Sequence, residues 1–275
     1  MQFSPAKLFL AVLVLAILML AGCQQNSADP NQDPAPDLPP ESSFVMDFSF
    51  FDTTTALPVP PGKILTKQNW GRSALVVGIW NVILTVNMAV PVASFVGAFG
   101  NDPQLQDDGT WLWTYQVNSI GGTYTANLSG RTASDGVHWE MRLSKSGPNG
   151  FSNFLWYEGE HNLVGTQGQW RLNRSPQEPN PYLQIDWHRS SDGATGDIRY
   201  LNVVPGSAEN GSYIYGERNG DFYNQVYNLY GAATGNLTEI QWSSTTLEGR
   251  TRDAAYFGDG DWHCWDGTFE DAICP

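Results

Sequence analysis

The sequence predicts a mainly β protein: one antiparallel, up-and-down sheet of about 10–12 strands, curled or closed into a barrel and packed around a single apolar N-terminal helix. Three observations carry this. The stretch from Ser73 to Gly100, SALVVGIWNVILTVNMAVPVASFVGAFG, holds no charged residue. From Thr110 onward, bulky and polar residues alternate in short runs separated by turn dipeptides. No second segment reads as a helix long enough to cross over between parallel strands, so neighbouring strands should be antiparallel.

The chain opens on a targeting segment that is not part of the fold, residues 1–22. Lys7 gives a weakly basic start, Leu8–Leu20 is an unbroken apolar run, and Leu20-Ala21-Gly22-Cys23 follows. That tetrapeptide resembles the lipobox of bacterial lipoproteins. The resemblance implies cleavage before Cys23 and acylation there, which anchors the chain without a membrane span. Gln24 stands where Asp would favour retention in the inner membrane, so the address implied is the outer membrane, with the domain in the periplasm or at the cell surface. Residues 23–43 carry several prolines, four acidic residues and no basic one, and read as a disordered or polyproline-like tether.

The domain is expected over residues 44–275. In FVMDFSFF, Phe44, Met46, Phe48 and Phe50 share one parity, the pattern of a short strand. Leu57–Gly62 reads as an irregular connection. The helix is expected over about residues 73–100, with Ser73 as N-cap and Pro91 as the place for a kink or restart. On a 3.6-residue period Ala74, Gly78, Asn81, Thr85 and Ala89 form a narrow small or polar stripe. Val76, Ile79, Ile83, Val86 and Val90 lie opposite, on a wide apolar face suited to packing inside a sheet. The stretch is also long enough to span a bilayer, but Asn81 and Asn87 would be costly against lipid.

The sheet follows from period two. Trp111, Trp113, Tyr115 and Val117 alternate with Leu112, Thr114, Gln116 and Asn118; Val137, Trp139, Met141 and Leu143 alternate with His138, Glu140, Arg142 and Ser144. Further strands are expected at 124–128, 153–162, 169–174, 182–189, 196–204, 212–218, 223–230, 237–245 and 249–256. Gly121-Gly122, Asp135-Gly136, Asn149-Gly150, Asp192-Gly193 and Asn219-Gly220 supply turn residues. Curling or closure disposes of sheet edges, and the bulky faces would then turn inward onto the helix. A membrane barrel would reverse this polarity.

The curled sheet with an apolar helix, together with the anchor, resembles in architecture the lipoprotein-localisation (Lol) carrier and receptor fold. The resemblance extends to no motif within residues 44–275, so no functional residue is carried over from it.

Three cysteines are present. With Cys23 taken by lipid, an extracytoplasmic Cys264 and Cys274 are expected to pair; a metal site adding His263 lacks a fourth ligand at known spacing. Asp259, Asp261, Asp266, Glu270 and Asp271 crowd the same tail, as in an oxygen-rich Ca²⁺ loop or a solvated turn. The net charge of −14 argues against a nucleic-acid partner.

Two pairs of residues have the makings of a catalytic site. Glu158 and Glu160 share a strand face at a spacing usable on a glycosidic bond, and Asp186 beside His188 would orient a general base. No Gly-x-Ser-x-Gly nucleophile accompanies the second pair. The expectation is therefore a protein with no cofactor and no catalytic residues. It would be a lipid-anchored outer-membrane protein that binds or shelters an apolar ligand such as lipid, or scaffolds envelope partners. Trp111, Trp113, Tyr115, Trp139 and Trp156 are the candidate lining of that site. A surface protein that binds or hydrolyses carbohydrate, and a purely structural envelope protein, are the alternatives.

Overall fold

The computed structural model describes residues 34–51 and 66–275. The lipobox with Cys23 and the Leu57–Gly62 connection lie outside the described residues. Two 3-10 turns, Glu41–Ser43 and Ser49–Phe51, precede a long helix α1, Gln68–Ala98. The strands are β1 (Gln104–Leu105), β2 (Trp111–Ser119), β3 (Gly122–Ala133), β4 (Gly136–Lys145), β5 (Phe151–His161), β6 (Gln167–Asn173) and β7 (Pro181–Arg189). They continue as β8 (Gly196–Asn202), β9 (Tyr213–Arg218), β10 (Gln225–Gly231), β11 (Asn236–Trp242) and β12 (Gly249–Arg252). A one-turn helix α2 (Ala254–Phe257) then leads to β13 (His263–Trp265) and β14 (Asp271–Ala272). Among the described residues these fourteen strands make one sheet in which each pairs with the next in the chain. Every pairing is antiparallel.

The eleven strands expected from period two correspond to β2–β12, and three short strands are added at the ends. The last expected strand, 249–256, stops at Arg252 because Asp253 caps α2, its side chain accepting from the Tyr256 N–H.

The sheet is not closed into a barrel. Its seam is spanned by α1, which touches β2 toward one end of the sheet and β12–β14 at the other. Near its N-terminus, Asn69 donates its backbone N–H to Asp271 Oδ1 (2.9 Å) and its amide to the Cys264 carbonyl (2.8 Å). Arg72 reaches Asp253 Oδ2 at 2.6 Å. Near its C-terminus Gly97 lets the backbone come down on β2, where a Cβ would lie 2.8 Å from Val117 Cγ1 and 2.9 Å from Tyr115 Cε2. The Tyr115 hydroxyl donates to the Ser94 carbonyl.

Five features of the N-terminal region differ from expectation. The helix starts before Ser73, whose hydroxyl bonds back to the Asn69 carbonyl (3.1 Å) inside the helix instead of capping it. Pro91 lies within the helix without ending it. Phe44–Phe51 is not a strand: it forms turns tucked onto the concave side of the sheet. Phe44 stacks on Phe95 (ring centroids 4.8 Å) and meets Tyr157 and Trp170, while Phe50 stacks on Trp242 at 5.0 Å. Six apolar residues in eight favour burial, so the segment packs as a plug from which only Asp47 and Ser49 stay exposed. Ala35 and Leu38 also pack against the core, so the compact unit begins before Phe44, at Ala35.

The fifth difference concerns which side of α1 is covered. The wide apolar face expected inside is largely outside: Ile79, Ile83 and Val86 are exposed, together with Leu75 and Val82, and only Val90 is buried. The inward side carries Ala74, Val77, Leu84, Met88 and Phe95. The helix is apolar nearly all round, so periodicity could not choose its buried face. What the strand tryptophans pack on is in good part the 44–51 plug and not α1 alone.

Candidate functional site

A cleft of about 730 Å³ lies between α1 and the plug. From the helix it is lined by Asn81, Leu84, Thr85, Met88, Ala89 and Val92, and from the plug by Val45, Met46 and Phe48, with Glu41, Ser42, Asp47, Ser49 and Tyr200 completing it. Leu84 and Met88 are one turn apart and share a face, so the cleft runs along the helix axis. Asn81 and Thr85, also one turn apart, bond one another (3.0 Å), which spends part of the polarity on that wall.

Tyr200, from β8, holds the plug in place. Its hydroxyl accepts from the Met46 N–H and donates to the Phe44 carbonyl, both at 2.9 Å. Burial raises its pKa above the ordinary tyrosine value. Tyr227 does the same from β10, donating to the Asp47 carbonyl. Both hydroxyls are thus occupied in fixing backbone, and the cleft wall they support is pre-formed.

The five aromatic residues expected to line a site do not line this cleft. Trp113, Tyr115, Trp139 and Trp156 are buried and Trp111 is half-buried, all on β2, β4 and β5. Trp113 packs on Trp139 (5.6 Å between centroids), and Trp156 packs among Tyr124, Phe151 and Phe154. They are core. The residues that do line the cleft come from three separated stretches, and only the apolar character of α1 hinted at them.

The polar pairs singled out from sequence fall on the convex face. A β-bulge opposite Met141/Arg142 adds Trp156 to β5 and switches its parity. Trp156 and Tyr157 are both buried, and Glu158 and Glu160 turn outward. His161 turns inward, where its ring stacks on Trp139 and Nδ1 lies 2.7 Å from the Asn162 carbonyl. Burial lowers its pKa, more than offsetting the carbonyl contact.

Register then aligns His138, Glu160, Gln169, Asp186, Arg199 and Tyr215 in one row across β4–β9. The row lies in a groove of about 570 Å³. Glu160 and Asp186 are two strands apart, roughly 9–10 Å between backbones. Asp186 accepts from Arg199 (2.7 Å), Gln169 (2.7 Å) and Gln184 (2.9 Å). His188 faces Asp197 (3.2 Å) and not Asp186, so the expected Asp186–His188 pair does not form.

In the C-terminal tail the sulfurs of Cys264 and Cys274 are 2.08 Å apart, at bonding distance, so the thiols are unavailable to a metal. His263 stacks on Phe257 and bonds Asp259 (3.0 Å). Asp271 and Asp266 accept backbone N–H groups, Asp266 within its own turn. Among the described residues no group of three or more His, Cys, Asp or Glu is placed to hold a metal ion. No family model, curated protein or solved structure matches this chain.

Proposed function

We propose that the protein is a lipid-anchored envelope protein that binds an apolar chain, such as the acyl tail of a lipid, between α1 and the plug. The observation that carries this is the cleft beside α1. It falls within the usual range of small-molecule sites, about 300–1,000 Å³, and has apolar walls with a few polar groups at fixed places. The membrane address rests on the lipobox. The convex groove offers charged and amide groups that are largely bonded to one another.

The test is native mass spectrometry of the full chain released in detergent and mixed with palmitic acid. One bound palmitate per chain is expected. Ala89→Trp and Val92→Trp, which fill the cleft from the helix side, should each weaken binding at least about tenfold, a loss of 1.4 kcal/mol. Binding unchanged in both variants, or absent in the unaltered protein, overturns the reading.

A second reading is favoured by one observation, the meeting of Glu160 and Asp186 in a single groove. A row of carboxylate, amide, guanidinium and phenol groups suits a saccharide's hydroxyls, so the convex face would bind glycan. Retention on a glycan array that is lost in Glu160→Ala is expected on this reading; no retention at all removes it.

A further inference from the structure

We infer that the bare face of α1 lies against the bilayer, so that the membrane surface covers Leu75, Ile79, Val82, Ile83 and Val86 and meets the lip of the cleft. These five are 57%, 52%, 65%, 44% and 60% exposed. At 100° per residue they fall within one arc of about 100°, and at 1.5 Å per residue they run for about 17 Å. A helix apolar on every side belongs in a protein core or in lipid. Among the described residues, protein covers only the inward side, where Val77, Leu84, Met88 and Phe95 are buried. A transmembrane position is closed to α1, because lipid cannot surround a helix whose one side is packed on the plug and the sheet.

Two further observations select a bilayer over other occupants. The first is charge: the chain carries −14, yet no charged residue lies anywhere from Ser73 to Gly100. Protein interfaces carry a polar, often charged rim, whereas an uncharged strip suits the interface of a zwitterionic membrane. Asn87, beside the exposed residues, has its amide on the Ile83 carbonyl (2.6 Å), so that donor is not left unmet toward lipid.

The second is the length of chain before the described residues. Eleven residues lead from Cys23 to Pro34. At about 3.1 Å each they reach roughly 34 Å, close to the width of a small domain, so an acylated Cys23 would keep the domain within reach of the bilayer it is anchored in. This step rests on the lipid-anchor reading above. Because Thr85 and Ala89 at the lip of the cleft adjoin Val82 around the helix, a docked helix would bring that lip to the acyl layer. That gives the proposed ligand a path that avoids water.

The experiment uses the full acylated chain in phosphatidylcholine vesicles whose acyl chains are brominated. Val82→Cys and, separately, Ile79→Cys carry an environment-sensitive fluorophore, and Arg171→Cys on the exposed convex side of β6 is the reference. At least twofold quenching at 82 and 79, with none at 171, is expected. Equal quenching at all three positions, or none at 79 and 82, overturns the docking. A blue shift at 82 that ignores bromine and grows with protein concentration also overturns it, and assigns the face to a second copy. Co-sedimentation of the unaltered chain with the same vesicles separates the causes: attachment without quenching refutes the docked face alone, and no attachment removes the anchor as well. Palmitate binding to the detergent-released chain is read independently of both.

Discussion

The Asp253 carboxylate receives Arg72 through Nε and Nη2, at 2.9 and 2.6 Å, from α1. It also receives Thr238 (2.8 Å) and Asn236 (3.0 Å) from β11, and it caps α2. The side chain is fully buried and that of Arg72 is one-fifth exposed. Burial alone would raise the carboxyl's pKa, but the hydrogen bonds from Arg72, Asn236 and Thr238 outweigh it and hold it below the ordinary aspartate value. A carboxylate whose folded pKa is depressed contributes stability that is complete above its unfolded value, near 3.9, and is lost as pH falls through the folded value. Arg72→Ala strands the charge, and we expect a loss of about 3–5 kcal/mol at neutral pH in urea unfolding followed by tryptophan fluorescence. Asp253→Asn should lower the neutral-pH plateau and flatten the fall in stability below about pH 4. A steep acid limb retained in that variant would place the proton uptake elsewhere. Neither residue stands out in the sequence, since a buried carboxylate and its partner 181 positions away leave no local pattern.

At the level of elements, the sheet curls because its concave face alternates large rings with bare backbone. Gly159 on β5 pairs with Trp170 on β6, and a Cβ at Gly159 would sit 2.1 Å from Trp170 Cε3 and 2.7 Å from the Gln169 carbonyl. The same cross-strand pairing recurs at Gly130 with Trp139, Gly168 with Trp187 and Gly249 with Trp265. Laying an indole over a glycine lets strands tilt inward without crowding, the device by which glycines bend a sheet. Gly159→Ala therefore forces the ring or the strand aside, and we expect it to cost about 1–3 kcal/mol, with a changed near-ultraviolet circular dichroism signal from Trp170. An unchanged melting temperature would mean that the sheet has slack at this point. The strands themselves were legible because alternation and turn dipeptides are local signals. The plug was not: Phe44, Met46, Phe48 and Phe50 alternate as a strand does, yet Phe44, Phe48 and Phe50 pack on Phe95, Tyr227 and Trp242 within the curl instead of extending the sheet.

For the whole molecule, the decisive fact is where α1 sits. A fourteen-stranded meander has two edges, and the helix stands across them, pinned by Asp253, Asp271 and Cys264 near its N-terminus and by Tyr115 near its C-terminus. Composition marks the helix as apolar nearly all round, and among the described residues protein covers only its inward side. The cleft was illegible for a related reason. Its walls come from residues 41–49, 81–92 and 200, which are joined only when the plug is seated and Tyr200 bonds it in place. Polar and apolar surfaces are then segregated on opposite sides of one sheet: His138, Glu160, Asp186 and Arg199 cross the convex face, while α1, uncharged from Ser73 onward, fills the seam. A sheet fully closed on itself would have no use for a helix that is apolar on its outer side. An open sheet whose gap is bridged by such a helix gains a surface that water disfavours, next to a cleft of the same character. Placing that surface and cleft together at a membrane satisfies both with one occupant.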